Sequence, residues 1–141
     1  MRNLITILMA VLVLCGNGVC MGDRWIEAWS ATEGDGLRVW AGVESDDLTT
    51  LDLNGTMKLD IYEEDTTNLV YTYSEDTNES SFYSSYGSST TWKSPRISYD
   101  EMKLTDKFKA MSLPTLDIQV SFTTNGNETL KDKSSLILVD I

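Results

Sequence analysis

Apolar and polar residues alternate most regularly near the carboxyl end of the chain. The apolar positions are Leu116, Ile118, Val120 and Phe122, and the residues between them are polar. A two-residue period places the two sets on opposite faces of a β-strand. The pair Asn125-Gly126, which is typical of a tight hairpin turn, follows, and the chain returns through the apolar residues 136–139. The stretch 115–140 is therefore predicted to be a β-hairpin whose apolar face other strands must cover.

The same alternation predicts strands upstream of this hairpin. Residues 37–43 form a predicted strand with Trp40 on its less buried face, after a turn at residues 33–36. Residues 56–73 form a second predicted hairpin, with a turn of about five residues. Residues 25–29 fit an edge strand or a short lead-in.

Three stretches have a less regular pattern. Residues 74–91 are predicted to be a long loop with one short edge strand near residues 82–86, because no period persists there. Residues 92–99 look like a strand bent at Pro95, and proline cannot donate to a ladder, which predicts a position at a sheet edge. Residues 100–111 fit either a helical turn or a connecting loop.

Six to eight short strands and at most one short helical piece indicate an all-β fold, an antiparallel β-sandwich. The strand succession over residues 39–140, with the closing hairpin F-T-T-N-G-N-E-T-L, resembles immunoglobulin-like or fibronectin-like sandwich domains of secreted prokaryotic proteins. The resemblance implies an immunoglobulin-like architecture. The paired cysteines of antibody domains are absent, and the resemblance transfers no functional residue.

The amino end has the layout of a secretory signal peptide. Arg2 precedes a short apolar run, residues 4–14, and small residues follow it. We predict a signal peptide over residues 1–22 and a single β-sandwich domain over residues 23–141, in a secreted or cell-surface protein. An uncleaved anchor and a lipid on Cys20 stay open as alternatives, although Val19 departs from the small residue that lipidation requires. Membrane contact is expected only through this segment.

Charge and composition exclude several function classes. The 141-residue chain carries 22 acidic and 11 basic residues, a net charge of −11, which repels nucleic acid. It has no histidine, so neither a Ser–His–acid site nor a zinc site of the Cys/His type can be assembled. Acidic clusters at residues 46–47, 63–65 and 100–101 lie in predicted turns, where solvated carboxylates are common. We therefore expect no catalytic residue, no metal site and no cofactor.

An aromatic cluster and three sequons are the remaining candidates for function. Tyr83, Tyr86 and Trp92 could stack against sugar rings, as in carbohydrate-binding modules. The alternative is that Phe82 and Trp92 face the core while the tyrosines cover its rim. The sequons place candidate glycosylation sites at Asn54, Asn78 and Asn127.

These observations favour an exported, non-enzymatic β-sandwich with a structural or protein-interaction role at the cell exterior. A carbohydrate-binding module that uses the aromatic loop is the alternative. The expected partner is accordingly an extracellular protein or a glycan, and not a nucleic acid.

Overall fold

A computed structural model describes residues 24–46, 51–85 and 88–139, and these residues form two antiparallel β-sheets packed as a β-sandwich. The strands are β1 Arg24–Glu33, β2 Gly36–Ser45, β3 Gly55–Glu63, β4 Leu69–Thr77, β5 Phe82–Ser85, β6 Ser88–Lys93, β7 Ile97–Ser98, β8 Thr115–Thr124 and β9 Thr129–Ile137. Among the described residues, one short helix, α1, spans Asp106–Lys109, and 3₁₀ turns span Glu79–Ser81 and Tyr99–Glu101. The all-β sandwich predicted from the sequence is confirmed. The predicted signal peptide lies outside the described residues.

Sheet A has the strand order β1-β2-β6-β5, with β7 also paired to β2, and sheet B has the order β4-β3-β8-β9. Within the described residues, no helix is long and apolar enough to cross a membrane.

The core lies between the sheets and follows from the two-residue period. Its most deeply buried apolar residues are Ile26, Leu37, Val39, Ala41, Val43, Met57, Leu59, Ile61, Val70, Trp92, Ile97, Leu116, Ile118, Val120, Phe122 and Leu138. Phe82 of sheet A meets Phe122 of sheet B edge to face, with ring centroids 5.9 Å apart. Such a pair stabilises the packing beyond its buried area.

The predicted carboxyl-terminal hairpin is confirmed as β8 and β9, but its turn differs from the expected one. The Thr124 N–H donates to the Glu128 carbonyl (2.8 Å) and the Asn127 N–H donates to the Thr124 carbonyl (2.9 Å). These bonds close a four-residue loop in which Asn127, and not Gly126, has the left-handed conformation (φ 67°). Asparagine tolerates this conformation, so Asn125-Gly126 does not form the two-residue turn.

The stretch 74–91, predicted to be a long loop, contains more strand than expected. Strand β4 continues to Thr77, and β5 and most of β6 also fall within this stretch. The period is hidden because Thr77, Thr90 and Thr91 are buried polar residues. The Thr77 hydroxyl, for example, donates to the Leu53 carbonyl at 2.8 Å. The short edge strand expected here is present as β5.

The predicted edge position of residues 92–99 is wrong for β6, which lies between β2 and β5. Pro95 instead occupies a break between β6 and β7, where Ser94 maintains the contact with β2. The Ser94 N–H donates to the Val39 carbonyl (2.8 Å), and the Val39 N–H donates to the Ser94 hydroxyl oxygen (3.0 Å). This side-chain substitute for a ladder bond lets a proline follow an interior strand.

The edge strands β1 and β9, which belong to different sheets, lie beside each other. The Ala28 N–H donates to the Asp132 carboxylate at 2.8 Å. The Ser30 and Ser134 hydroxyls share a hydrogen bond at 2.9 Å. One side of the sandwich is thus closed by side chains.

Candidate functional site

The aromatic residues singled out from the sequence do not form one surface. Tyr83 lies on β5, with 42% of its surface exposed, and the Lys93 ammonium is 6.0 Å from the centre of its ring. Tyr86 lies outside the described residues. Of the three proposed stacking residues, the structure therefore places only Tyr83 at the surface.

Trp92 is a core residue. Only 1% of its surface is exposed, its ring stacks on Tyr73 with centroids 6.4 Å apart, and its indole N–H donates to the Glu75 carboxylate at 2.7 Å. Phe82 is also buried. The structure therefore supports the alternative in which both residues face the core, and it removes Trp92 from any ligand-stacking surface.

A different aromatic surface lies on the outer face of sheet A. Trp29 of β1 and Trp40 of β2 are directly opposite each other, with ring planes within 5° of parallel and centroids 6.4 Å apart. Trp29 is 42% exposed, and its ring passes 3.6 Å from the place where a side chain on Gly42 would begin. The Trp29 ring thus lies within van der Waals reach of the neighbouring strand at Gly42.

Two further aromatic residues extend this surface. Trp25 is on the same face of β1 as Trp29, since successive side chains alternate and Ile26 points into the core. Tyr83 continues the face across the sheet, because Tyr83, Thr91 and Gly42 are paired in turn. We call Trp25, Trp29, Trp40 and Tyr83 the tryptophan face.

Charged side chains surround the tryptophan face. Arg38 donates to both carboxylate oxygens of Glu33, at 2.8 and 3.2 Å, and to the Ser94 carbonyl at 3.1 Å. The hydrogen bond from Arg38 lowers the pKa of Glu33. Glu27 and Glu44 project from the same face. The fixed guanidinium of Arg38 and the carboxylates of Glu27 and Glu44 therefore offer both donors and acceptors around the rings.

Sequence reasoning missed Trp29, although a signal for it was present. A turn centred on Gly34-Asp35 pairs Glu33 with Gly36 and, counting outward, Trp29 with Trp40. The turn was predicted and Trp40 was assigned to the less buried face. Extending the register of that hairpin would have brought the two indoles together.

The acidic cluster at residues 63–65 is only partly solvated. Glu63 is buried rather than solvated as predicted, because it ends β3 under the loop that follows. Its carboxylate accepts from the Thr105 N–H (2.7 Å), the Thr105 hydroxyl (3.0 Å) and the Asn68 amide (3.0 Å). Burial on its own would raise the pKa of Glu63, but these hydrogen bonds outweigh it and hold the pKa below its ordinary value.

The remaining acidic groups are more exposed. Glu64, Asp65, Asp100 and Glu101 are exposed. Across the described ranges, no three acidic, histidine or cysteine side chains form a group that could hold a metal ion.

The three sequons lie at one end of sheet B. Asn54, Asn78 and Asn127 are all exposed and lie in loops. Gly55, next to Asn54, pairs with Thr77 on one side and Thr124 on the other, which brings the three loops together. The sequons are thus neighbours in space although they are far apart in sequence.

Comparison with known proteins identifies a fold but no family. No protein-family model matches the sequence, and no curated protein is similar to it. The crystal structure of wild-type OgpA from Akkermansia muciniphila is similar in fold, with a TM-score of 0.50 and 10% sequence identity. The match covers 82% of this chain and 27% of the OgpA chain. At this identity the likeness concerns the sandwich alone.

Proposed function

We propose that this protein is an exported, non-enzymatic binding module that recognises an extracellular partner through the tryptophan face. The observation that carries the proposal is the pair Trp29–Trp40, two parallel indoles on the outside of a sheet. Neither ring is needed to fill the core, which lies on the opposite side of the same strands.

The order of the strands supports an immunoglobulin-like architecture for this module. Immunoglobulin domains place strands A, B, E and D in one sheet and C, F and G in the other. Sheet A, with the order β1-β2-β6-β5, follows A-B-E-D, and sheet B follows C′-C-F-G in the order β4-β3-β8-β9. Domains of this architecture serve many binding roles, and the role has to be argued from the surface itself.

The energetics of the tryptophan face favour recognition of a partner. A tryptophan ring exposed to water leaves apolar area that a ligand can cover, at roughly 25 cal/mol per Å². Tryptophan, tyrosine and arginine are also the residues that dominate binding energy in protein interfaces. Trp29, Trp40, Tyr83 and Arg38 bring these types together on one side of sheet A.

A protein partner is the first candidate and a carbohydrate is the second. The parallel rings favour the carbohydrate, because the apolar face of a sugar can stack on them while Glu27 and Glu44 accept from its hydroxyls. The carbohydrate candidate, predicted from the sequence at Tyr83, Tyr86 and Trp92, is therefore proposed here for the tryptophan face, in which Trp29 and Trp40 take the place of the buried Trp92.

The test is binding of the labelled protein to intact cells of its source. We expect Trp29→Ala and Trp40→Ala each to weaken binding at least about tenfold, or about 1.4 kcal/mol. The matched control is Leu69→Ala, which removes an equally exposed apolar side chain (42%) from sheet B. Loss of binding after protease treatment of the cells indicates a protein partner, and loss after periodate oxidation indicates a glycan. Unchanged binding by both tryptophan variants would contradict the proposal.

A further inference from the structure

The outer face of sheet B carries a groove of about 450 Å³ that is lined by three lysines. Lys58 of β3, Ser121 of β8 and Lys131 of β9 form one row across the sheet. Asp60, Gln119 and Lys133 form the next row. Backbones two strands apart are about 10 Å from each other, so the lysines surround Ser121 and Gln119 on two sides.

This concentration of positive charge is unexpected in so acidic a chain. The chain has 11 basic residues against 22 acidic ones, and three of the 11 line this groove. Lys58 lies 3.6 Å from Asp60. In the part of the chain that the structure describes, neither Lys131 nor Lys133 forms an ion pair, whereas Arg38 and Arg96 are both paired.

The two carboxylates that line the groove, those of Asp60 and Asp132, already accept hydrogen bonds from other parts of the protein. Asp60 accepts from the Thr72 hydroxyl at 2.6 Å, in addition to its contact with Lys58. Asp132 accepts from the Ala28 N–H at 2.8 Å on the inner side of the strand. The groove therefore offers an excess of cationic donors, with a neutral amide and a hydroxyl between them.

We propose that this groove binds a small hydroxylated organic anion, of which a sugar acid is the simplest example. The lysines would hold the anionic group, while Gln119 and Ser121 can bond to hydroxyl groups. A volume of about 450 Å³ lies within the range of small-molecule sites. A long polyanion is disfavoured, because outside the groove it would meet an acidic surface that repels it.

Lysine ammonium groups are suited to binding a small organic anion. An ammonium group is a point charge on a flexible stem and does not demand the planar geometry that an arginine fork imposes. Lysines on an edge strand also discourage strand-to-strand aggregation, which is the competing explanation for Lys131 and Lys133. Protection of the edge does not account for Lys58, because β3 is an interior strand of sheet B.

The test is calorimetric titration of the purified full chain with glucuronate, with glucose as the neutral probe and inorganic sulfate as the bare anion. We expect glucuronate to bind more tightly than either, and more weakly at about 0.15 M salt than at low salt because salt screens exposed charges. Lys131→Met and Lys58→Met should each weaken binding about tenfold, since each removes a charge-assisted hydrogen bond.

The matched control is Lys107→Met, on the exposed surface of α1, which should bind as the parent does. Circular dichroism establishes that each variant is folded. Equal binding of glucose or sulfate, no binding of glucuronate, or an equal loss in Lys107→Met would each overturn the proposal. One further outcome would overturn the proposal: the Lys131→Met, Lys133→Met double variant aggregates and the parent does not bind glucuronate. In that case the lysines serve to protect the edge of the sheet. None of these outcomes bears on the tryptophan face, which is on the other sheet.

Discussion

Phe122 and Gln119 lie on the same strand and differ in the face that they occupy. Phe122 is fully buried against Phe82, and Gln119 is exposed on the outside of sheet B. Removing the Phe122 ring leaves a cavity between the sheets that the remaining core can fill only in part. The consequences of truncation should therefore differ sharply between these two residues.

We expect Phe122→Ala to lower the free energy of unfolding by about 3–5 kcal/mol. That loss is a large part of the roughly 5–15 kcal/mol that a small domain has. Gln119→Ala should change it by less than about 0.5 kcal/mol, as surface substitutions usually do. Urea denaturation measures both. Equal losses would mean that β8 is buried on both faces.

The sequence allowed the buried face of β8 to be predicted because each residue there is plainly apolar or polar. Tryptophan is neither, and this is why its positions could not be assigned in the same way. Trp92 is buried on the inner face of an interior strand, where Glu75 accepts its indole N–H, and Trp29 is exposed on the outside of an edge strand. Both facts depend on neighbours that are distant in sequence.

The Glu63 carboxylate links two segments of the chain that have little regular secondary structure of their own. Its carboxylate binds Asn68 at the end of the loop after β3, and Thr105 at the start of α1. Thr105 in turn caps α1, accepting from the Phe108 N–H at 3.2 Å. A single buried carboxylate thus holds one hairpin loop against the segment that precedes β8.

The lowered pKa of Glu63 predicts a defined pH dependence. Because the pKa in the folded chain lies below its ordinary value of 4.5, the folded state binds the proton less tightly than the unfolded state. The stabilisation is therefore complete above pH 4.5 and is lost as the pH falls through the folded pKa.

We expect Glu63→Gln to lower the free energy of unfolding by about 1.5–3 kcal/mol at neutral pH, because it replaces hydrogen bonds to a charged group. Its stability should also depend less on pH below 4.5 than that of the parent. The control is Glu64→Gln, at the exposed neighbouring position. Thermal unfolding across this pH range would show the difference, and parallel pH profiles for Glu63→Gln and the parent would contradict the role.

Strand prediction succeeded where turns are short and apolar residues are regular. The loop between β3 and β4 has the predicted length of about five residues, at residues 64–68, and Asp65 adopts a left-handed conformation (φ 58°) there. Over residues 74–91 the prediction found β5 but missed the end of β4 and most of β6, because threonines take buried positions that a pattern of apolar residues cannot mark. Neither the lysine groove nor the tryptophan face was predicted, because each depends on register across neighbouring strands.

The two outer faces of the sandwich have different chemistry. The outside of sheet A has parallel indoles and a fixed arginine, and the outside of sheet B has a lysine groove. The core separates them, so a ligand on one face need not displace a ligand on the other. The sequon-bearing loops lie at one end of sheet B.

The residue pairs that join β1 to β9 all have the same separation in sequence. Arg24 lies 3.7 Å from Glu128, and the pairs Ala28–Asp132 and Ser30–Ser134 are separated by 104 residues, as are Arg24 and Glu128. A constant offset means that the first and last strands of the described domain run parallel, side by side.

This arrangement determines how the domain carries mechanical load. A force that pulls Arg24 and Ile137 apart slides β1 along β9, so the contacts between them are strained together rather than one after another. In single-molecule stretching, Asp132→Ala should raise the unfolding rate under load about tenfold, if about 1.4 kcal/mol of the barrier is lost. Asp117→Ala, on β8 away from this contact, is the control and should unfold at the parent's force. A module tethered at one end and bound to a partner at the other would then stay folded while the tether is under tension.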